Sequence, residues 1–131
     1  MTSDRLAGLR ILIVEDEYFL ADEARGLLAE VGAEVIGPVP TANQASALID
    51  GDRAIDGALL DVNLGGEMAF DVADKLQARG IPFAFLTGYD RSVLTDRFTD
   101  TASLGKPVCA EQLIEVVEQL ASRAPAPQVS G

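Results

Sequence analysis

Several oxygen- and nitrogen-bearing side chains stand at the ends of the apolar stretches of this 131-residue chain. Glu15, Asp16 and Glu17 follow the run Leu9–Val14. Asp61 stands near the end of Gly57–Val62, Thr87 and Gly88 follow Ile81–Leu86, and Lys106 with Pro107 comes after Thr101–Leu104. Singly, each has a plain structural reading. Glu17 would cap the next helix, Thr87 would finish a strand with a β-branched residue, Lys106 would be a solvated lysine, and Asp61 would open a turn with Asn63, Gly65 and Gly66. Together they are the parts of a phosphoryl-transfer site. Glu15, Asp16 and Asp61 would crowd three carboxylates, which is unfavourable without a cation. A hard divalent ion with oxygen ligands relieves that repulsion, and Mg²⁺ suits because it keeps waters and accepts phosphate oxygens. One carboxylate of the set would then be the nucleophile that forms an aspartyl phosphate. An ammonium such as Lys106 and a hydroxyl such as Thr87 are the types that stabilise charge on the equatorial oxygens. Spacing alone leaves open which carboxylate attacks.

The elements that must carry these residues are legible from periodicity. Leu9–Val14 is apolar except for Arg10, as in a strand covered on both faces. Leu20, Ala24, Leu27, Leu28 and Val31 recur on one helical face, and Gly32 supplies a stop. Ala33–Val39 is a second strand, with Pro38 and Pro40 marking it as an edge. Thr41-Ala42-Asn43-Gln44 matches a capping box ahead of a helix burying Ala45, Leu48 and Ile49. Gly57–Val62 is the third strand. Ala69, Val72, Ala73 and Leu76 line the helix after it, which Gly80 and Pro82 end. Ile81–Thr87 is the fourth strand and Thr101–Leu104 a brief fifth. Asp90–Asp100, weakly periodic, is expected as a short or mobile helix. Leu113, Val116, Val117 and Leu120 define a final helix. Five βα units with short connections predict an α/β fold, a parallel sheet with helices on both faces. Met1–Gly8 reads as a leader, 9–123 as one domain, and 124–131, with Pro125 and Pro127, as a disordered tail.

Composition removes many functions. Ten basic residues against 21 acidic ones leave a net charge of −11, which repels nucleic-acid backbones and anionic membranes. The chain has no histidine, so it holds no Ser-His-Asp relay, no imidazole metal site and no phosphohistidine of its own. The single cysteine, Cys109, has no partner for an internal disulfide and is expected as a small buried or half-buried hydrophobe. No apolar run approaches the ~20 residues of a membrane span, and Met1–Gly8 lacks a signal-peptide core, so a cytoplasmic location is expected.

The segments Val14-Glu15-Asp16-Glu17, Leu59-Leu60-Asp61-Val62-Asn63-Leu64, Leu86-Thr87-Gly88 and Gly105-Lys106-Pro107 resemble the receiver domain of two-component response regulators. The resemblance covers Leu9 to Arg123. It implies a flavodoxin-like (βα)5 fold with a doubly wound, five-stranded parallel sheet of order 2-1-3-4-5. It also implies that Asp61 is the phosphoacceptor, taking a phosphoryl group from the phosphohistidine of a histidine kinase or phosphotransfer protein. Glu15 and Asp16 match the acidic pair that holds Mg²⁺ with Asp61, and the Asn63 backbone carbonyl matches a further protein contact. Thr87 matches the hydroxyl that binds the phosphoryl oxygen and Lys106 the lysine paired with it, with a cis bond before Pro107. Such a domain is a signalling protein rather than an enzyme. It catalyses its own phosphorylation and slow dephosphorylation, and it signals to a downstream protein by direct contact.

Two departures stand out. The aromatic that many receivers carry three positions before the lysine is Ser103 here. Phe83-Ala84-Phe85-Leu86-Thr87-Gly88-Tyr89 is instead similar to the FATGUY subfamily of mostly single-domain receivers, which makes Tyr89 the candidate switch residue. Gly65-Gly66 also replaces a more usual proline-containing loop. The rivals are an Mg²⁺-dependent phosphohydrolase with an aspartyl nucleophile, a phosphorylation-independent pseudo-receiver and a flavin module. Asn63, where a haloacid-dehalogenase-type enzyme has aspartate, and the lack of a cap domain oppose the first. The full acid set opposes the second, and the lack of tryptophan and of a Ser/Thr-rich phosphate loop opposes the third.

Overall fold

The computed structural model describes residues 6–51, 54–64, 67–87, 103–105 and 109–123. Its elements are β1 (Arg10–Val14), α1 (Tyr18–Glu30), β2 (Glu34–Val39), α2 (Ala42–Asp50), β3 (Gly57–Asp61), β4 (Asn63–Leu64), β5 (Glu67–Met68), α3 (Phe70–Ala78), β6 (Phe83–Thr87), β7 (Ser103–Gly105) and α4 (Ala110–Arg123). Five strands form one parallel sheet in the order β2-β1-β3-β6-β7, while β4 and β5 pair antiparallel as a separate hairpin. Numbered by their place in the sheet, the five are ordered 2-1-3-4-5, the flavodoxin-like arrangement. The winding direction reverses between β1 and β3, which opens a crevice beyond their carboxyl ends.

Both faces of the sheet are covered, which is why its strands are apolar without alternation. Leu12, Val14, Ala58, Leu60, Phe83 and Phe85 point to the layer that holds Ala45, Ile49, Val72, Ala73 and Leu76 of α2 and α3. Ile11, Ile13, Leu59, Ala84 and Leu86 point to the opposite layer, where Ala24, Leu28, Leu113, Val117 and Leu120 of α1 and α4 meet them. On the first side Phe85 packs edge-on against Phe70 and Phe83, with ring centroids 6.1 and 5.5 Å apart.

The helix punctuation is local chemistry. The Gln44 amide donates to Thr41 Oγ1 at 3.1 Å, so the expected cap starts α2. After α1, Gly32 N–H reaches the Ala29 carbonyl and Ala33 N–H the Leu28 carbonyl, both at 3.1 Å. That is the paired Schellman closure. It requires a left-handed residue at Gly32, whose φ is 96°. A Cβ there would stand 3.0 Å from the Ala7 Cα. Gly80 and Ile81 close α3 with the same two bonds, to Gln77 and Leu76.

Several expectations need correction. Cys109 is exposed, not buried. It directly precedes α4, and the Leu113 N–H bonds to its carbonyl at 2.9 Å. At that helix start its side chain escapes the stripe formed by Leu113, Val117 and Leu120. The buried stripe of α1 runs through Ala21, Ala24 and Leu28, with Leu20 and Leu27 only half-buried. Ala21 also lines the groove beside Glu15 and Asp16. The core also reaches back to Leu6, which is 1% exposed and whose N–H bonds to the Val31 carbonyl. Among the described residues no helix is long and apolar enough to cross a membrane.

Candidate functional site

Parallel register delivers the candidate residues to one edge. Val14 pairs with Leu60, so Glu15 emerges from β1 level with Asp61 at the end of β3. Asp61 pairs with Leu86, one residue before Thr87, and Thr87 pairs with Gly105. Glu15, Asp16 and Asp61 each place a carboxylate oxygen within 4.8 Å of the others. Glu15 is 2% exposed and Asp61 4%, whereas Asp16 faces solvent. Burying two carboxylates beside each other is costly unless positive charge balances them. A set made only of hard carboxylate oxygens fits Mg²⁺ or a similar divalent cation.

The backbone holds this cluster. Glu15 N–H donates to the Val39 carbonyl at 3.0 Å, across a register shift between Leu12 and Val14. That shift accompanies Gly37, at φ 92°, and Pro38 within β2. An added Cβ at Gly37 would lie 2.9 Å from the Val39 nitrogen, so only glycine fits this irregularity. The strand lies at the sheet's edge, as its prolines imply, and runs through Pro38 because an edge strand can lose one donor. Its bulge hands the Val39 carbonyl to Glu15. Glu17 stands at the N-cap of α1, but its side chain makes no capping hydrogen bond. Glu17 therefore has its expected place at the helix start, without a side-chain capping bond. Its N–H instead donates to Glu15 Oε2 at 3.0 Å, so the start of α1 is served by the carboxylate two residues earlier.

A groove of about 370 Å³ runs beside the acids, lined by Glu15, Asp16, Tyr18, Asp22, Arg25 and Pro38 among others. Arg25 is held by Asp22 at 2.6 Å. Tyr18 and Phe19, 75% and 85% exposed, stack edge-on at 5.7 Å on the first turn of α1. Sequence periodicity assigned this pair no role, because neither belongs to the face formed by Leu20, Ala24, Leu27, Leu28 and Val31. After Asp61, Asn63 lies in β4 opposite Met68. Lys106, Pro107, Tyr89 and Asp90–Asp100 lie outside the described residues, as do residues 1–5 and 124–131.

A parallel sheet of order 2-1-3-4-5 with three converging carboxylates at the switch point defines a receiver-like module, and comparison with known proteins agrees. No family model matches the chain. It is 31% identical over 131 residues to the transcriptional regulatory protein TcrA of Mycobacterium tuberculosis, an alignment covering 95% of this chain and 50% of TcrA. SdrG of Sphingomonas melonis, known from a solution structure, is 39% identical with a TM-score of 0.76, over 86% of this chain and 95% of SdrG. The crystal structure of a response regulator receiver protein from Sinorhizobium medicae is 25% identical with a TM-score of 0.78, over 89% and 96% of the two chains. The chain belongs to the receiver domains of response regulators. It spans roughly half of the length of the curated relatives it matches, from 60% of PdtaR to 36% of YbdJ.

Proposed function

We propose that residues 9–123 accept a phosphoryl group on Asp61 from the phosphohistidine of a separate kinase or phosphotransfer protein, with Mg²⁺ at Glu15, Asp16 and Asp61. The observation that carries this reading is the convergence of those three carboxylates within 4.8 Å at the sheet's switch point. Asp61 is the member best placed to attack, since it ends the central strand β3, between β1 with its acids and β6 with Thr87. Its oxygen forms the new P–O bond as the donor's P–N bond breaks, and the imidazole leaves. The ion, when bound, supplies the positive charge that offsets the carboxylates and the transferred oxygens. Glu15 and Asp16 would hold it, together with the Asn63 carbonyl.

Thr87 and Lys106 keep the roles that the family resemblance gives them, binding and pairing with the phosphoryl oxygens. Register supports this, because Gly105, the neighbour of Lys106, pairs with Thr87. Tyr89 would be the switch aromatic of a FATGUY-like receiver, reporting phosphorylation through Asp90–Asp100 to a downstream protein in the cytoplasm. The exposed Tyr18–Phe19 pair offers the donor protein an apolar foothold beside the acids.

Incubation with acetyl phosphate and Mg²⁺, followed by intact-mass measurement, tests the proposal. One hydroxylamine-labile phosphoryl adduct is expected, absent in Asp61→Asn and in the presence of EDTA. Rapid turnover of phosphate esters without a lasting adduct would favour a phosphohydrolase. Neither adduct nor turnover would favour a pseudo-receiver.

A further inference from the structure

The hairpin that follows Asp61 has a register with a consequence for the metal site. Asn63 stands opposite Met68 and Leu64 opposite Glu67, which places Val62 opposite Ala69. Ala69 N–H donates to the Val62 carbonyl at 2.9 Å. Opposed residues in an antiparallel ladder alternate between hydrogen-bonded and non-hydrogen-bonded pairs. The single bond from Ala69 to Val62 makes Asn63 with Met68 the non-bonded pair and Leu64 with Glu67 a bonded one. The Leu64 N–H thus points into β5. It shares a planar trans peptide with the Asn63 carbonyl, which must point the opposite way, out of the hairpin. Asn63 follows Asp61 by two residues, a backbone reach of at most ~7 Å.

The first residue of this hairpin is tied on both sides. Val62 N–H donates to the Leu86 carbonyl of β6 at 3.1 Å, and its own carbonyl takes the Ala69 N–H. Val62 and Ala69 are 3% and 0% exposed, so water cannot readily substitute for that bond. Carbonyl directions alternate along a strand, so if the Val62 carbonyl turned out of the hairpin the Asn63 carbonyl would turn inward.

We propose that the Ala69 backbone N–H is a positioning group for the cation. By fixing the hairpin's parity it keeps the Asn63 carbonyl turned out and available beside Asp61. This rests on the proposed Mg²⁺ site and goes beyond it, because it assigns the aim of one ligand to a backbone donor at the start of α3. A hairpin with only two opposed pairs has little else to hold its register.

The test is an amide-to-ester replacement at position 69, with lactate in place of alanine, which deletes the N–H and leaves the side chain intact. Ala69→Pro is a second route, since Ala69 has φ −88° and follows an extended residue. Mg²⁺ affinity is read by calorimetry, and folding by near-UV circular dichroism and thermal melting in EDTA. The ester should weaken Mg²⁺ binding about tenfold or more with a native-like spectrum. An ester at Met68, whose N–H points away from β4, should change it less than about twofold. A folded position-69 variant with unaltered Mg²⁺ affinity, or equal losses from both esters, overturns the positioning role alone. Absence of Mg²⁺ uptake by the unmodified chain overturns the underlying reading of the site, and this role with it.

Discussion

The two edges of the sheet handle their acids in opposite ways. At the amino edge of the strands each described carboxylate contact is answered. Asp56 accepts the Arg10 N–H at 2.8 Å, Glu34 lies 3.6 Å from the Arg10 guanidinium, and Lys75 spans both Asp50 oxygens at 3.0 and 2.8 Å. These groups are exposed or half-exposed and hold neighbouring elements together. At the carboxyl edge Glu15 and Asp61 are buried, and Asp16 joins them. One edge is arranged for stability. The other gathers three carboxylates within 4.8 Å of one another, two of them buried, an arrangement suited to a divalent cation.

The sharpest break in that contrast comes from Asp61→Asn. It should remove the phosphoryl adduct entirely while making the metal-free protein more stable. Relief of repulsion at one carboxylate is worth about 1 kcal/mol, or roughly 3–5 °C in Tm at this chain length. Intact mass and thermal melts in EDTA read the two effects, and a lower Tm for the variant would refute the idea of stored repulsion. Metal addition comes next. Mg²⁺ at about one hundred times its Kd should stabilise the native chain by about 2.7 kcal/mol. Most of that gain should vanish in Glu15→Gln and Asp16→Asn and survive in Lys75→Met, at the other edge. Equal gains in all three variants would place the ion elsewhere.

The difference between the edges was only half visible in the residue pattern. Apolar runs located β1, β3 and β6 because strands buried on both faces must be apolar throughout, and their ends pointed at Glu15, Asp61 and Thr87. Thr41 with Gln44, and Gly32, were readable because caps are local bonds within three or four residues. The bulge at Gly37–Pro38 was not, since its purpose is set by a partner in β1. Nor was the β4–β5 pairing, where two-residue strands are too short to show a period. The exposure of Cys109 depended on where α4 starts, and the bond from the Glu17 amide to the Glu15 carboxylate depended on how β1 turns into α1. What escaped prediction is what tertiary neighbours decide.

Gly32 offers a smaller perturbation confined to the amino edge. Gly32→Ala forces a side chain into a left-handed residue and against the Ala7 backbone, which should cost about 1–2 kcal/mol. Urea unfolding measures that loss. The Mg²⁺-dependent gain in stability should be the same as in the native chain, since the α1 terminus lies at the far end from the acids. A coupled loss of Mg²⁺ affinity would show that the two edges are not independent.

The smallest expected effect lies in the Asp50–Lys75 bridge between α2 and α3. The hydrogen bond from Lys75, with its charge and that of Arg79, holds the Asp50 carboxyl below the usual aspartate range. An acid whose folded pKa is depressed contributes stability that is complete above its unfolded pKa, near 3.9 for aspartate, and is lost as pH falls through the lowered folded value. Because Asp50 is solvent-exposed and screened, the contribution is small. Lys75→Met should therefore lower Tm slightly at pH 7 and in low salt, and the gap from the native chain should close below about pH 4.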